Sequence, residues 1–325
     1  MDIFVTGGTG FIGSHVVRRL LANGHRVRGL ARSAGSSERL RALGAAPVPG
    51  DLHNREALRQ GMAGCDCVIH AAATYEFWIP DRAEFRRANV EGTRAVMECA
   101  TDTRASRVVL VSSVVVFGLP AQSPINEETP VGPVRFSEYA RTKYEGDLVA
   151  WRLRETRGLP LVVIYPGSVL GPGDTKASGR YVHNLVERRL PATMADGHSF
   201  PFVHVLDVAE AIVRAAETPG IDGGKYLVVG ENLTFGQINA MISEISGVPL
   251  PKLRLPDATA VAGVAVLTAL SGLTRRPPRW GMSRDQVATM MHGPIADGSR
   301  ATRELGITYT PIRRALEEMI ASLRA

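Results

Sequence analysis

At 325 residues, with 45% hydrophobic and 22% charged residues, the chain has ordinary globular composition, which excludes a disordered or fibrous protein. Its length suits a large domain carrying a smaller lobe. The net charge of +6 rests on four lysines and 34 arginines scattered along the whole chain. With no basic run interleaved with aromatics, a nucleic-acid-binding face is excluded.

In chain order, a β-branched run at 3–6 predicts a strand almost at Met1, with no basic-apolar-cleavage pattern before it, so a cytoplasmic protein is expected. A helical pattern at 12–22 follows, then strands at 26–31 and 46–48, a helix over 55–60 and a strand at 67–71. A helix over 83–100, a strand at 107–112, a helix over 137–157 and a strand at 161–165 complete the first half. Such alternation predicts an α/β fold, a Rossmann-like doubly wound parallel sheet with helices on both faces. After Tyr165 come the loop signals Pro166-Gly167, Gly171-Pro172-Gly173 and Ser178-Gly179. Strand-like pieces at 202–205 and 226–229 suggest one return to the sheet. The division expected is a nucleotide-binding domain over 1–167, rejoined around 202–230. Residues 168–201 and 231–325 then form a smaller, mostly helical substrate lobe. The stretch 258–273 is short of the roughly 20 apolar residues that span a bilayer. It reads as a packed helix, with shallow membrane contact as the alternative and no stable insertion. Cys65, Cys67 and Cys99 are too few for a disulfide framework and lack a second pair at zinc spacing, so packed thiols and no metal are expected.

The first strand runs into Thr6-Gly7-Gly8-Thr9-Gly10-Phe11-Ile12-Gly13 and a helix. In that context Gly7 allows the tight turn, Gly10 lets backbone approach a pyrophosphate, and Gly13 packs helix on strand, leaving anions to meet the helix N-terminus. About 20 residues on, where a carboxylate would accept from a ribose 2′-hydroxyl, the chain has no acid but Arg32, a fork suited to a 2′-phosphate. NADP(H) is therefore expected over NAD(H). Asp51 suits either an adenine amino group or the cap of the next helix. Ala71, Ala72 and Ala73 leave room for a cofactor at a strand end, whereas His70 reads as a core histidine.

Tyr139 and Lys143, four apart in a helical pattern, lie on one face. A neighbouring ammonium would lower the tyrosine from its usual pKa of about 10 towards proton exchange at neutral pH. Tyr144 has no such lysine and reads as packing. Ser112 and Ser113 end a strand at the carboxyl edge, where a hydroxyl could hold a substrate oxygen; a turn or cap serine is the plainer alternative.

These pieces, together with GDL at 50–52, HAAA at 70–73, NVEGT at 89–93, VSSVVVFG at 111–118, YARTK at 139–143, YPGSVLGP at 165–172 and FVHVLDVAEA at 202–211, resemble the extended short-chain dehydrogenase/reductases of the NAD-dependent epimerase/dehydratase family. The chain is most similar to the dihydroflavonol 4-reductase-like branch. The resemblance implies Ser113, Tyr139 and Lys143 as catalytic residues, Lys143 also binding the nicotinamide ribose. It brings Thr9, Phe11, Ile12, Leu52, Asn89, Ser112, Tyr165, Pro166 and Ser168 to the cofactor. Phe117 and Tyr165 depart from the commoner family residues. Tyr75, Phe77 and Trp78 are candidates for a substrate wall. The function expected is reduction of a ketone or aldehyde by NADPH hydride, or the reverse, with Tyr139 as general acid/base. Rival readings are an NAD-dependent sugar-nucleotide epimerase or dehydratase, a dinucleotide-binding regulator without chemistry, and a hydroxysteroid dehydrogenase touching a membrane through 258–273. A homodimer through the helices near 83–100 and 137–157 is a family expectation.

Overall fold

The computed structural model describes residues 1–324. Its first half alternates as the hydrophobic pattern requires: β1 (Asp2–Thr6), α1 (Phe11–Ala22), β2 (Arg26–Ala31), α2 (Ala34–Leu43), β3 (Ala46–Pro49), α3 (Arg55–Met62) and β4 (Cys67–His70). Then come α4 (Ala83–Arg86), a turn of π-helix (Arg87–Gly92), α5 (Thr93–Asp102), β5 (Arg107–Val111), α6 (Glu138–Arg157) and β6 (Leu161–Pro166). The predicted helix over 83–100 is thus interrupted by the π turn. Helix α2 has no counterpart among the expected elements. Its polar Ala-Gly-Ser-Ser start is held by reciprocal capping between Ser33 and Ser36, a local bond that hydrophobic periodicity does not register.

The second half contains β7 (Ser168–Leu170), α7 (Ala177–Val186), β8 (Ala192–Thr193), β9 (Ser199–His204), α8 (Val205–Glu217), β10 (Lys225–Val228) and β11 (Glu231–Thr234). It ends with α9 (Phe235–Ser246), β12 (Leu253–Arg254), α10 (Asp257–Thr274), α11 (Arg284–His292), α12 (Ser299–Leu305) and α13 (Ile312–Arg324). Seven strands form the main sheet in the order β10-β6-β5-β4-β1-β2-β3, every pair parallel. Both faces are covered, so β4 and β6 are buried along their whole length, which is why they read as continuous apolar runs. Val16, Val17 and Leu20 of α1 and Val208 and Ile212 of α8 fill one face. Leu58, Met62, Val96 and Ala150 fill the other. Strand order reverses between β1 and β4, and the crevice at their carboxyl ends is where such sheets bind ligands.

The return of the chain differs from its expected form. Only β10 rejoins the main sheet; β9 pairs instead with β7 and β11 in a separate three-stranded sheet. Residues near 202 therefore face the second lobe, whose core joins Tyr181, Phe200, Phe202, Ile238, Ile242 and Met319 to Tyr139. The packed helix expected over 258–273 is a helix, but not a packed one: only Ala260, Val264 and Ser271 of α10 are buried.

Candidate functional site

The glycine loop lies directly on the end of β4. Gly7 adopts a left-handed φ of 78°, and a Cβ there would stand 2.6 Å from the Ala72 nitrogen. A Cβ on Gly13 would stand 2.0 Å from the Gly7 carbonyl oxygen, so helix, loop and strand close up only with glycine at both places. Gly10 begins α1 with no side chain capping its N–H groups, leaving Phe11, Ile12 and Gly13 in an open first turn suited to a phosphate. Thr9 lies in the loop between them.

Arg32 follows β2, exposed and in no ion pair among the described residues. Asp51 uses Oδ1 to accept from the His53 and Asn54 backbone at 2.9 and 3.1 Å, while the cap of α3 is Asn54. Leu52 packs beneath, against Gly92. Ala71 and Ala72 are half-buried and Ala73 is exposed. His70 is a satisfied core residue: its Nδ1 meets Thr6 Oγ1 at 2.6 Å, its Nε2 meets Thr93 Oγ1 at 3.0 Å, and burial pushes it down to about 3.

Helix α6 carries the tyrosine and lysine inward because its N-terminus is held by Ser137, whose hydroxyl accepts from Ala140. Tyr139 is buried with its ring edge-on to Tyr75 and Phe77, centroids 5.1 and 6.1 Å away. Lys143 is buried and donates to the Val111 carbonyl oxygen at 2.8 Å. Burial raises the Tyr139 phenol, the Ser113 hydroxyl being the group that pulls it down. The acidification expected from Lys143 is not seen in the protein's own charges. Burial lowers the lysine itself, and its ammonium is turned to Val111.

Asn89, in the π turn, is fully committed. It accepts from the Thr74 backbone at 2.8 Å and donates to the Thr74 carbonyl and Thr142 hydroxyl at 3.2 and 3.0 Å. It ties the strand exit to α6 beside Lys143. Ser112 is buried, with its hydroxyl directed to the Asp147 carboxyl rather than held in a close hydrogen bond. Ser113 starts a short turn, accepting from Val115 at 3.4 Å.

A cavity of about 140 Å³ gathers Phe11, Ile12, Ser112, Ser113, Tyr139, Pro166 and Ser168 with Tyr75 and Phe77. Lys143, Asn89, Arg32, Asp51, Leu52, Ala71–Ala73 and, of the glycine loop, Gly7, Thr9, Gly10 and Gly13 stand outside its lining, and so do Tyr165 and Trp78. Tyr165 turns behind the sheet onto Phe117, 5.5 Å between centroids, and accepts from Trp151 at 3.4 Å. Trp78 is half-buried outside the lining. The remaining wall was not foreseen as such: Asp174 from the loop before α7, Tyr181 from α7, Phe200 and Phe202 from β9, Phe235 and Ile238 from α9 and Gln286 from α11 are brought together only by the fold. Asp147 was also missed, although it stands one turn beyond Lys143 on the same face. Burial pushes its carboxyl up to about 6, against the pull of Lys143 and of the Ser112 and Tyr165 hydroxyls.

Residues 3–230 match the NAD dependent epimerase/dehydratase family. The chain is 34% identical over 332 residues to sterol demethylase protein B of Methylococcus capsulatus, covering 100% of this chain and 98% of that one. A Synechocystis relative bearing the name dihydroflavonol 4-reductase is 33% identical over 98% of this chain and 93% of its own. A farnesyl-dihydroquinoline-oxide ketoreductase of Stigmatella aurantiaca is 32% identical over 94% and 91%. Among solved structures, that of gox2253 superposes with a TM-score of 0.85 at 32% identity over 99% of this chain and 98% of that one. UDP-glucuronic acid 4-epimerase of Bacillus cereus, with a TM-score of 0.79, shares the fold at 21% identity, covering 100% and 99%. With its uninterrupted parallel sheet, glycine loop and Tyr139–Lys143 helix, the chain belongs to the NAD-dependent epimerase/dehydratase family, among the extended short-chain dehydrogenase/reductases similar to dihydroflavonol 4-reductase.

Proposed function

We propose that the protein is an NADP(H)-dependent reductase that interconverts a ketone or aldehyde with its alcohol on a molecule with a large apolar body. The observation that carries this reading is the lining of the cavity beside Tyr139. It is aromatic and aliphatic, contains no basic side chain, and its one formally charged residue is the buried acid Asp174. A sugar nucleotide brings a diphosphate that needs cations or clustered N–H donors, and an acid in a low-dielectric wall opposes it. A carbonyl on an apolar molecule needs only burial and one or two hydroxyl donors.

The nucleotide, when bound, supplies the hydride. Gly7, Thr9, Gly10, Phe11, Ile12 and Gly13 would cradle its pyrophosphate, Asp51 and Leu52 its adenine side, Ala71–Ala73 its path along the sheet, and Pro166 and Ser168 its ring end. Arg32 would take the 2′-phosphate. Ser113 holds the substrate oxygen, and Tyr139, kept protonated by burial, delivers its proton to that oxygen as general acid. Lys143, now donating to the Val111 carbonyl oxygen, would hold the nicotinamide ribose. The names sterol demethylase, farnesyl-dihydroquinoline-oxide ketoreductase and dihydroflavonol 4-reductase all concern molecules with apolar ring or chain bodies, which supports the same substrate class.

The test is turnover of the purified protein with NADPH or NADH against apolar ketones, aldehydes and UDP-sugars. Preferential NADPH oxidation with apolar carbonyls is expected. Epimerisation of a UDP-sugar with bound NAD, and no net oxidation of NADPH, would overturn the proposal.

A further inference from the structure

Helix α10 is inverted relative to an ordinary surface helix. Its 18 residues are long and apolar enough to cross a bilayer by length and composition, yet only 17% of the helix is buried. Val261, Ala265, Val266, Ala269, Leu270 and Leu273 are all exposed, Val266 at 61%, Leu270 at 52% and Leu273 at 83%. At 100° per residue they occupy about half of the helix circumference. The buried residues Ala260, Val264 and Ser271 lie opposite. A charged stripe should face water here, and a hydrocarbon stripe does.

The ends of this stripe are cationic. Lys252 and Arg254 precede it and Arg275, Arg276 and Arg279 follow it, all exposed and none in an ion pair among the described residues. The one acid of the helix, Asp257, is engaged by His198 at 2.7 Å. Beneath the helix lies an apolar cavity of about 240 Å³ walled by Leu190, Met194, Leu267, Trp280 and Tyr181. Tyr181 also lines the cavity of Tyr139.

We propose that α10 docks the protein on an anionic phospholipid surface, lying in the plane of the interface, and that an amphiphilic carbonyl substrate reaches the site from that side. The access part rests on the reductase reading; the docking part does not. A crossing helix is excluded because both ends return to the same lobe, through β12 paired with β8 and through the turn into α11, which packs on α10. A second copy of the chain is the poorer occupant. Whether two α10 stripes pair parallel or antiparallel, a cationic end meets a cationic end. An anionic headgroup layer over hydrocarbon complements both the stripe and its ends.

The experiment is sedimentation of the full chain with vesicles of phosphatidylcholine alone or with phosphatidylglycerol. Comparison proteins are V266D/L270D and R275E/R276E, with thermal melts to confirm folding and light scattering to read oligomeric state. Binding to the anionic vesicles that weakens at least tenfold in each variant and falls with added salt is expected. Failure to bind anionic vesicles, or undiminished binding by V266D/L270D, overturns the proposal. So does conversion of an oligomer to monomer by V266D/L270D, which would make the stripe a contact between copies. Because vesicle binding needs no turnover, loss of the reductase reading alone would leave this result standing.

Discussion

Arg32 directly follows β2, and Asp147 lies one turn beyond Lys143 on α6. Arg32 is exposed, in no ion pair among the described residues and without an acid at the end of β2. A charge-assisted hydrogen bond to a 2′-phosphate is worth about 1.5–3 kcal/mol. Arg32→Ser should therefore raise the KM for NADPH about 10- to 100-fold and leave that for NADH unchanged. Equal effects on both nucleotides, measured by initial rates, would remove Arg32 from the cofactor site. For Asp147, burial raises the carboxyl from 3.8 to about 6, so in this window the folded state binds more protons than the unfolded one. Its contribution thus falls as pH rises from about 4 to about 6 and is flat above. Asp147→Asn abolishes that dependence. Relative to wild type, the variant should gain about 2 kcal/mol between pH 4 and pH 7, read from urea midpoints at both pH values. A difference that stays constant with pH would show that this carboxyl does not titrate there.

Between elements, the position of the helix bearing Tyr139 and Lys143 is set by how closely α6 approaches the π turn. A Cβ on Gly146 would stand 2.3 Å from the Asn89 carbonyl oxygen, and that oxygen already accepts from Thr93 at 2.8 Å. Gly146→Ala must push α6 outward, at about 1–3 kcal/mol, and carry Tyr139 and Lys143 away from β5. Turnover should fall together with the denaturation midpoint. Gly263→Ala, on exposed α10 with nothing within 4 Å of the added carbon, should be neutral or slightly stabilising. No loss of stability on Gly146→Ala, matching Gly263→Ala, would show that the close approach relaxes without cost and that helix propensity is being read. The contact itself was not legible in the sequence. Tyr139, Lys143 and the glycine loop could be read because each is a short-range pattern on one element. The parallel sheet could be read because two-sided burial makes β4 and β6 continuously apolar. The π turn leaves no periodic trace, since it shifts register without changing residue type. Nor could the exposure of α10 be read, since an apolar helix looks alike in sequence whether its stripe meets protein or solvent.

Across the whole molecule, the wall over the site is a segment of the first half held down by the second. Glu76 reaches Lys176, just before α7, at 3.0 Å and Arg180, on α7, at 2.8 Å, and the next carbonyl, of Phe77, accepts from Ser283 at 2.9 Å just before α11. Beside these ties Tyr75 and Phe77 lie edge-on to the Tyr139 ring. The ion pairs therefore bear on the shape of the cavity more than on proton transfer. Despite the cost of burial, Arg180 and Lys176 hold the Glu76 carboxyl below its ordinary range. Its contribution is accordingly complete above the usual carboxylate pKa and is lost as pH falls through the depressed value. Partly exposed pairs of this kind are worth about 1 kcal/mol at most. Glu76→Gln should thus raise the KM for the carbonyl substrate about fivefold at neutral pH, with kcat little changed. Initial-rate kinetics would separate the two constants. A fall in kcat at constant KM would place Glu76 in the chemistry itself, and an unchanged KM would show that the aromatic wall keeps its position without the second lobe's cations.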